Sequence, residues 1–182
     1  KVSARGNSGI QYRGKMMPEV DLDIVSGYQC DIMPKPLHQN GMLYEERGRR
    51  ILAHTGEKVI VGEDGQPWVV GTMPVKAFPH DEWLDYRVLV KANHHQHWIN
   101  GHQTADLVDL DEKGRASEGI LGFQVHVGPA MKIQFKDIRI KHLPDDLPAL
   151  TIKDRPISSD AYGVRPQGQP KKGWKAPVFG EK

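Results

Sequence analysis

The stretch from residue 118 to residue 143, EGILGFQVHVGPAMKIQFKDIRIKHL, constrains the fold more than any other part of the sequence. In its first half apolar residues alternate with polar or small ones, which is the period of a β-strand with one buried face. Residues 128–130 predict a tight turn, and the change of parity at residues 136–137 is typical of a β-bulge. The stretch therefore predicts a central hairpin that buries its apolar side between two sheets and displays Gln124 and His126 on the other side.

Two earlier segments repeat this alternation. One places Gln11 and Arg13 on a single face of a strand, and the next places Gln29 and Asp31 on a single face. Three strands that each offer a polar, hydrogen-bonding face predict a binding surface built on a sheet. The other candidate strands lie within residues 41–53, 58–71, 83–92 and 94–107.

Turn residues separate these candidate strands at short intervals. Gly48 favours two short strands over a helix within residues 41–53. The dipeptide Asn100-Gly101 is a strong signal for a hairpin turn. Short strands at this spacing, with no convincing helical pattern, predict an all-β fold, an antiparallel β-sandwich or jelly roll spanning residues 1–143.

The sequence changes character after residue 143. Residues 144–182 are rich in proline and glycine and have little periodicity, which predicts an extended C-terminal arm. We expect this arm to dock on the body or on a neighbouring subunit through Tyr162, Trp174 and Phe179, and so to support a homo-oligomer or a larger complex. Because the chain opens in what reads as a strand, we also expect further sequence upstream of Lys1.

Composition and charge exclude several classes of function. The net charge is +2, with acidic and basic residues interleaved, so there is no basic stripe of the kind that nucleic-acid binding requires. No apolar run is long enough to span a membrane, and no signal peptide is present. The single cysteine, Cys30, allows no internal disulfide.

Five motifs occur in an order that resembles the 3-keto-disaccharide hydrolase domain family. They are GNSGIQYR, GYQCDI, GMLYEERGRR, HWINGH and GILGFQVHVGPAMKIQFKDIRIKHL. The resemblance covers about residues 4–143, the whole predicted sandwich. It implies a jelly roll like those of concanavalin A-type lectins and glucanases. The usual opening of the family implies that one or two strands of the sandwich lie upstream of Lys1. It also implies a secreted enzyme of the periplasm or the extracellular space that acts on oxidised glycosides, with a carbohydrate as its partner.

A 3-keto sugar has an acidified hydrogen at C2, so a base can remove it and the C1 substituent then leaves by elimination. Such a site needs a base with a pKa near neutrality, a cation or donor for the enolate, and an acid for the leaving group. His126 suits the base, since histidine titrates near working pH. Arg13 suits the enolate oxyanion. Glu45 is a further acid–base candidate, against the alternative that it belongs to an ion-pair network with the arginines that follow it.

The remaining polar residues are assigned to sugar binding, and they are Gln29, Asp31, Tyr44, Glu46 and Gln124. The adjacent Glu45 and Glu46 face opposite ways on a strand, so they do not form the carboxylate pair of ordinary glycosidases. For each of these groups a solvated, hydrogen-bonded sheet face remains the alternative interpretation.

No metal site is predicted with a complete ligand set. His95 and His97 share one face of a strand, but the sequence shows no third ligand at a telling spacing, and an exposed histidine-rich hairpin is the simpler interpretation. A divalent ion held by Asp31 or Glu45 with His126 stays open. Two other functions also stay open, because fold alone does not fix function: a non-catalytic carbohydrate-binding lectin-like module, and a structural subunit of a larger assembly.

Overall fold

A computed structural model describes residues 1–165 of the chain, and in it every regular element apart from one short 3-10 turn is a β-strand. The strands are β1 (Ser8–Met16), β2 (Val25–Ile32), β3 (Leu43–Glu46), β4 (Arg50–Ala53), β5 (Glu57–Val61), β6 (Pro67–Thr72), β7 (Tyr86–Lys91), β8 (His94–Ile99), β9 (His102–Asp109), β10 (Ile120–Val125) and β11 (Tyr162–Gly163), with the 3-10 turn at Leu37–Gln39 between β2 and β3. The prediction of an all-β sandwich is confirmed.

The strands form two sheets that pack face to face. Sheet 1 has the order β10-β1-β2-β3-β4, and sheet 2 has the order β11-β6-β5-β9-β8-β7. All neighbours are antiparallel except β5 and β9, which run parallel. Gly48 separates β3 from β4 as expected, and Asn100 and Gly101 both have positive φ (49° and 73°), the geometry of the tight turn predicted between β8 and β9.

The core lies between the sheets. Tyr28 and Leu43 of sheet 1 meet Val59 and Leu107 of sheet 2 in one apolar cluster, and all four are fully or almost fully buried. Alternate residues of β1, β2 and β3 point into this cluster, so the residues between them point to the outer face of sheet 1. Burial of the apolar set thereby decides which polar side chains are displayed together.

The stretch from residue 118 to residue 143 departs from its prediction in two ways. Its first strand, β10, lies at the edge of sheet 1 rather than at the centre. Its second half forms no ladder with β10 and makes only an isolated bridge between Ile133 and Val2. Without that partner the apolar side of β10 stays open beside the gap between the two sheets. Phe123 is 38% exposed although its ring packs against the tilted ring of Phe135, and Val125 is 68% exposed.

The described part of the C-terminal arm crosses the outer face of sheet 2. Leu150 and Ile157 cover Ile60, Val108 and Leu110 there. The arm then adds β11 to the edge of the sheet, where Tyr162 pairs with Val69. The other two expected anchors, Trp174 and Phe179, lie outside the described residues. No helix within residues 1–165 has the length and apolarity needed to cross a membrane.

Candidate active site

The outer face of sheet 1 carries most of the polar residues singled out in the sequence. We call it the polar face and define it by Gln11, Gln29, Asp31, Tyr44, Glu46 and Gln124, with His126 directly after β10. Strand register brings these residues together, because Gly9 of β1 lies opposite both Gln124 of β10 and Asp31 of β2. Gln124 and Asp31 therefore flank a glycine, and the side chain of Gln29 occupies the space above that glycine.

Gln29 joins the two sides of this row. Its Nε2 donates to Asp31 Oδ1 at 2.6 Å and to Gln124 Oε1 at 3.3 Å. Its own Oε1 is buried and has no hydrogen-bond partner within residues 1–165. A buried acceptor without a donor is costly, so a group that supplies a donor there is favoured.

Asp31 is the most perturbed acid on the polar face. It is 3% exposed, and burial raises the pKa of its carboxyl to about 7, with the nearby negative charge of Glu46 adding to the rise and the hydrogen bond from Gln29 opposing it. Its Oδ2 makes no hydrogen bond to any residue within 1–165. Asp31 thus combines a proton that titrates near neutrality with a free oxygen to carry it, which is what a general acid requires.

His126 lies one step further along the same face. Its backbone N–H donates to Asn7 O, and its ring Nδ1 contacts the carbonyl oxygen of Val127. Because a carbonyl only accepts, Nδ1 carries the hydrogen in the neutral ring and Nε2 carries the lone pair. The side chain is exposed. His126 therefore offers a basic nitrogen that is open to a ligand.

Tyr44 and Glu46 line the β3 side of the polar face. Tyr44 pairs with Gln29 across the ladder, and Glu46 pairs with Gly27. The guanidinium of Arg50 lies over the Tyr44 ring, 5.7 Å from its centroid. The structure thus groups Tyr44 and Glu46 with Gln29, Asp31 and Gln124, as the sequence led us to expect.

Arg13 does not lie on the polar face. The register of β1 shifts between Gln11 and Gly14, and Arg13 has a positive φ of 50°, so its side chain leaves the alternation. Its Nη1 donates to the carbonyl oxygens of Ala92, at 2.8 Å, and Ala116, at 3.2 Å. The expectation that Arg13 shares a face with Gln11 is wrong, and its guanidinium ties the two sheets together instead.

Glu45 points the other way from Glu46, into the sandwich. There it accepts hydrogen bonds from Arg49 Nε at 2.8 Å and Nη2 at 3.0 Å. The same guanidinium bonds Asp109 and Asp111 of sheet 2, and Tyr28 donates to Asp109 at 2.6 Å. Glu45 therefore belongs to the ion-pair network that was its alternative interpretation, and it lies away from the groups of the polar face.

His95 and His97 are fully buried, so the expectation of an exposed hairpin is wrong. Both rings contact Tyr12 Oη, at 3.2 Å and 2.9 Å. His97 Nδ1 donates to Gly41 O, so Nε2 of the neutral ring accepts the hydrogen of Tyr12 Oη. Because that hydrogen is used, His95 Nδ1 donates to Tyr12 Oη. Desolvation lowers the pKa of both imidazoles, that of His97 to about 4.

Within residues 1–165 no three histidine, cysteine or acidic side chains are grouped so as to hold a metal ion.

Sequence reasoning missed the role of two glycines in the site, Gly9 and Gly122. Gly9 leaves room for the side chain of Gln29, since a Cβ at position 9 would collide with it. Gln11 donates to Val25 O from the same face and lies beneath Gly122, where a Cβ would come within 3.3 Å of its Oε1. The signal was present, because glycine inside a strand marks close approach of another group.

Comparison with known protein families identifies the family of the chain. Residues 1–141 match the family model described as the 3-keto-alpha-glucoside-1,2-lyase-like domain. The match covers most of the chain and nearly all of the sandwich, and the chain belongs to this family. The resemblance read from the five motifs is thereby confirmed. A search of curated proteins found no significant match.

Proposed function

We propose that this protein cleaves the glycosidic bond of 3-keto glycosides by elimination across C1 and C2, followed by addition of water. The observation that carries the proposal is the row in which Gln124, Gly9 and Asp31 lie side by side, with His126 at its end. Membership of a family described as 3-keto-alpha-glucoside-1,2-lyase-like supports this reaction class. The row supplies an acid, a base and hydrogen-bonding amides next to one another.

His126 is the base in this proposal. Its Nε2 removes the C2 proton, which the C3 carbonyl acidifies, and the electron pair of the C2–H bond passes into an enolate. Histidine is suited to this step because the neutral ring carries a nitrogen lone pair that accepts a proton. The Nδ1 contact with Val127 fixes the tautomer that presents Nε2. Proton transfer to a positioned base of this kind contributes about a hundredfold or more to the rate.

The amides and the acid complete the reaction. Gln124 directs its Oε1 to Gln29, which leaves its amide hydrogens to donate to the enolate oxygen at C3. The enolate then collapses, the C1–O bond breaks, and Asp31 Oδ2 gives its proton to the departing oxygen. The product of this half-reaction is an unsaturated 3-keto sugar, and water added across C1 and C2 yields the free 3-keto sugar.

Neither Arg13 nor Glu45 takes part in this scheme, although both were candidates from the sequence. Arg13 bonds main-chain carbonyls at the opposite side of β1, and Glu45 is held by Arg49 within the sandwich. Tyr44 and Glu46 border the same position as Gln29 and are assigned to sugar hydroxyls. A divalent ion is not required by the scheme.

A direct test compares the release of 4-nitrophenol from a 4-nitrophenyl 3-keto-glucoside and from the unoxidised glucoside. We expect turnover of the keto compound alone, because only the C3 carbonyl acidifies the C2 hydrogen. Equal turnover of both compounds would show an ordinary glycosidase and overturn the proposal. Binding of both compounds without turnover of either would indicate the lectin-like module.

A further inference from the structure

A cavity of about 430 Å³ lies next to His126, beyond the end of the polar face. Three short pieces of chain form it: residues 4–7 before β1, residues 33–35 after β2, and residues 126–131 after β10. His126 follows β10, Asn7 precedes β1 and Met33 follows β2. These three residues lie at the same end of the three paired strands. The cavity is thus the continuation of the polar face past the strand ends.

The wall of this cavity is largely apolar and rich in sulfur. Met33 and Met131 contribute thioethers, and Val127 and Pro129 contribute aliphatic carbon. The backbone N–H of Asn7 lies 3.2 Å from Met131 Sδ, which holds that side chain in place. Thioethers make favourable contacts with aromatic rings and adapt to their shape. The wall therefore suits a flat, apolar group such as an aryl ring.

Two cations border the same cavity. Arg5 and Lys35 both line it and are exposed, and within residues 1–165 neither forms an ion pair. Among the residues that the structure describes, no acidic residue lines the cavity. An anion on a bound ligand would find two positive partners there and no competing carboxylate.

The position of the cavity relative to the proposed acid decides which part of a substrate it receives. Met33 comes directly after β2, two residues beyond Asp31, so the cavity begins within about 7 Å of Asp31 along the chain. A substituent on an oxygen that takes its proton from Asp31 can therefore reach Met33 and Lys35. That substituent is the group leaving from C1.

We propose that this cavity is the binding site for the leaving group, and that it selects an aromatic aglycone bearing a carboxylate or a similar anion. Met33 and Met131 contact the ring, and Arg5 and Lys35 hold the anion. This inference rests on the proposed function for its assignment to the leaving group, while the preference for an aromatic anion rests on the cavity alone.

The test compares 4-carboxyphenyl glucoside with 4-carbamoylphenyl glucoside, which has nearly the same shape and no charge. Binding of the unoxidised compounds is measured by titration calorimetry, and kcat/KM is measured on their 3-keto forms. We expect the wild type to prefer the carboxylate in both Kd and kcat/KM. This preference should fall by about threefold in Arg5→Gln and in Lys35→Gln, and by both factors in the double variant, because an ion pair at an exposed site has about that strength. The preference should also weaken as salt is raised.

Lys91→Gln, at the end of β7 in the other sheet, is the matched control and should leave the preference unchanged. This inference is overturned if both 3-keto compounds are turned over with no preference for the carboxylate, or if the preference for the carboxylate survives in the double variant. Either result leaves the proposed function standing. A different result would support the site and overturn the proposed function. In that case neither 3-keto compound is turned over, the wild type binds the carboxylate more tightly than the amide, and the double variant loses this preference.

Discussion

Gln29 of β2 lies across Gly9 of β1, in the space that any side chain at position 9 would need. This placement carries the amide of Gln29 over the neighbouring strand to Gln124 while it still donates to Asp31. One missing Cβ therefore allows three strands to share a single hydrogen-bonded group. The polar face is assembled by close approach of backbone and side chain as well as by alternation.

Replacing this glycine tests the arrangement. Gly9→Ala should displace Gln29, separate Asp31 from Gln124 and lower turnover, with a loss of stability of about 1–3 kcal/mol from overpacking. Turnover of the 3-keto substrate and denaturant unfolding measure the two effects. Gly71→Ala is the control, because a Cβ there meets only Lys58 at 3.6 Å or more. A Gly9→Ala enzyme with unchanged kcat would show that the bridge has no role in the reaction.

The role assigned to His126 predicts loss of activity without loss of fold. His126→Ala should reduce kcat by at least about a hundredfold, the usual effect of removing a positioned general base. The side chain is exposed, so the free energy of unfolding should change by less than ~1 kcal/mol. Steady-state kinetics and chemical denaturation on the same preparation separate the two effects. An equally active variant would remove His126 from the mechanism and move the base to Asp31 or Glu46.

Local alternation predicted those parts of the site that depend on one strand at a time. Gln29 with Asp31, and Gln124 with His126, share a face because residues two apart in a strand always do. Arg13 escaped this rule because a register shift and a positive φ separate it from Gln11. A bulge of this kind depends on the partner strands, which a single segment does not reveal.

The errors in the fold also arise from contacts distant in sequence. The edge position of β10 depends on strand order, which alternation does not encode. His95 and His97 read as surface residues because histidine is polar. They are buried since Tyr12, more than 80 residues earlier, supplies one hydroxyl to both rings. Sequence indicated the class of fold and one face of the site, whereas pairing between distant segments determined the rest.

Asp31 predicts a pH dependence that an isosteric amide should remove. Its folded pKa of about 7 lies above the ordinary value of 3.8, so the folded state binds more protons than the unfolded state between these values. The wild type therefore loses stability as pH rises from about 4 to about 7. Asp31→Asn lacks this loss. Its advantage in unfolding free energy over the wild type should grow from pH 4 to pH 7 and then level off, on the order of 2–4 kcal/mol.

Two further measurements define this prediction. Exposed Asp146→Asn should show no such growth with pH. If Asp31 is the acid, kcat of the wild type should fall as pH rises above about 7, and Asp31→Asn should have a low kcat without that alkaline decline. Parallel stability curves for wild type and Asp31→Asn would contradict the raised pKa.

The buried His97 predicts a pH dependence of the opposite sign. Its folded pKa of about 4 lies below the ordinary value of 6.5, so the unfolded state binds more protons between these values and stability is lost as pH falls from 6.5 towards 4. The wild type should lose about 3 kcal/mol over this range that His97→Gln does not lose. Urea unfolding at pH 7.5 and pH 4.5 measures the difference, and the contribution of Asp31 cancels because both proteins contain it. His142→Gln, at an exposed site, should follow the wild type. Identical pH slopes for His97→Gln and wild type would show that folding does not change the pKa of His97.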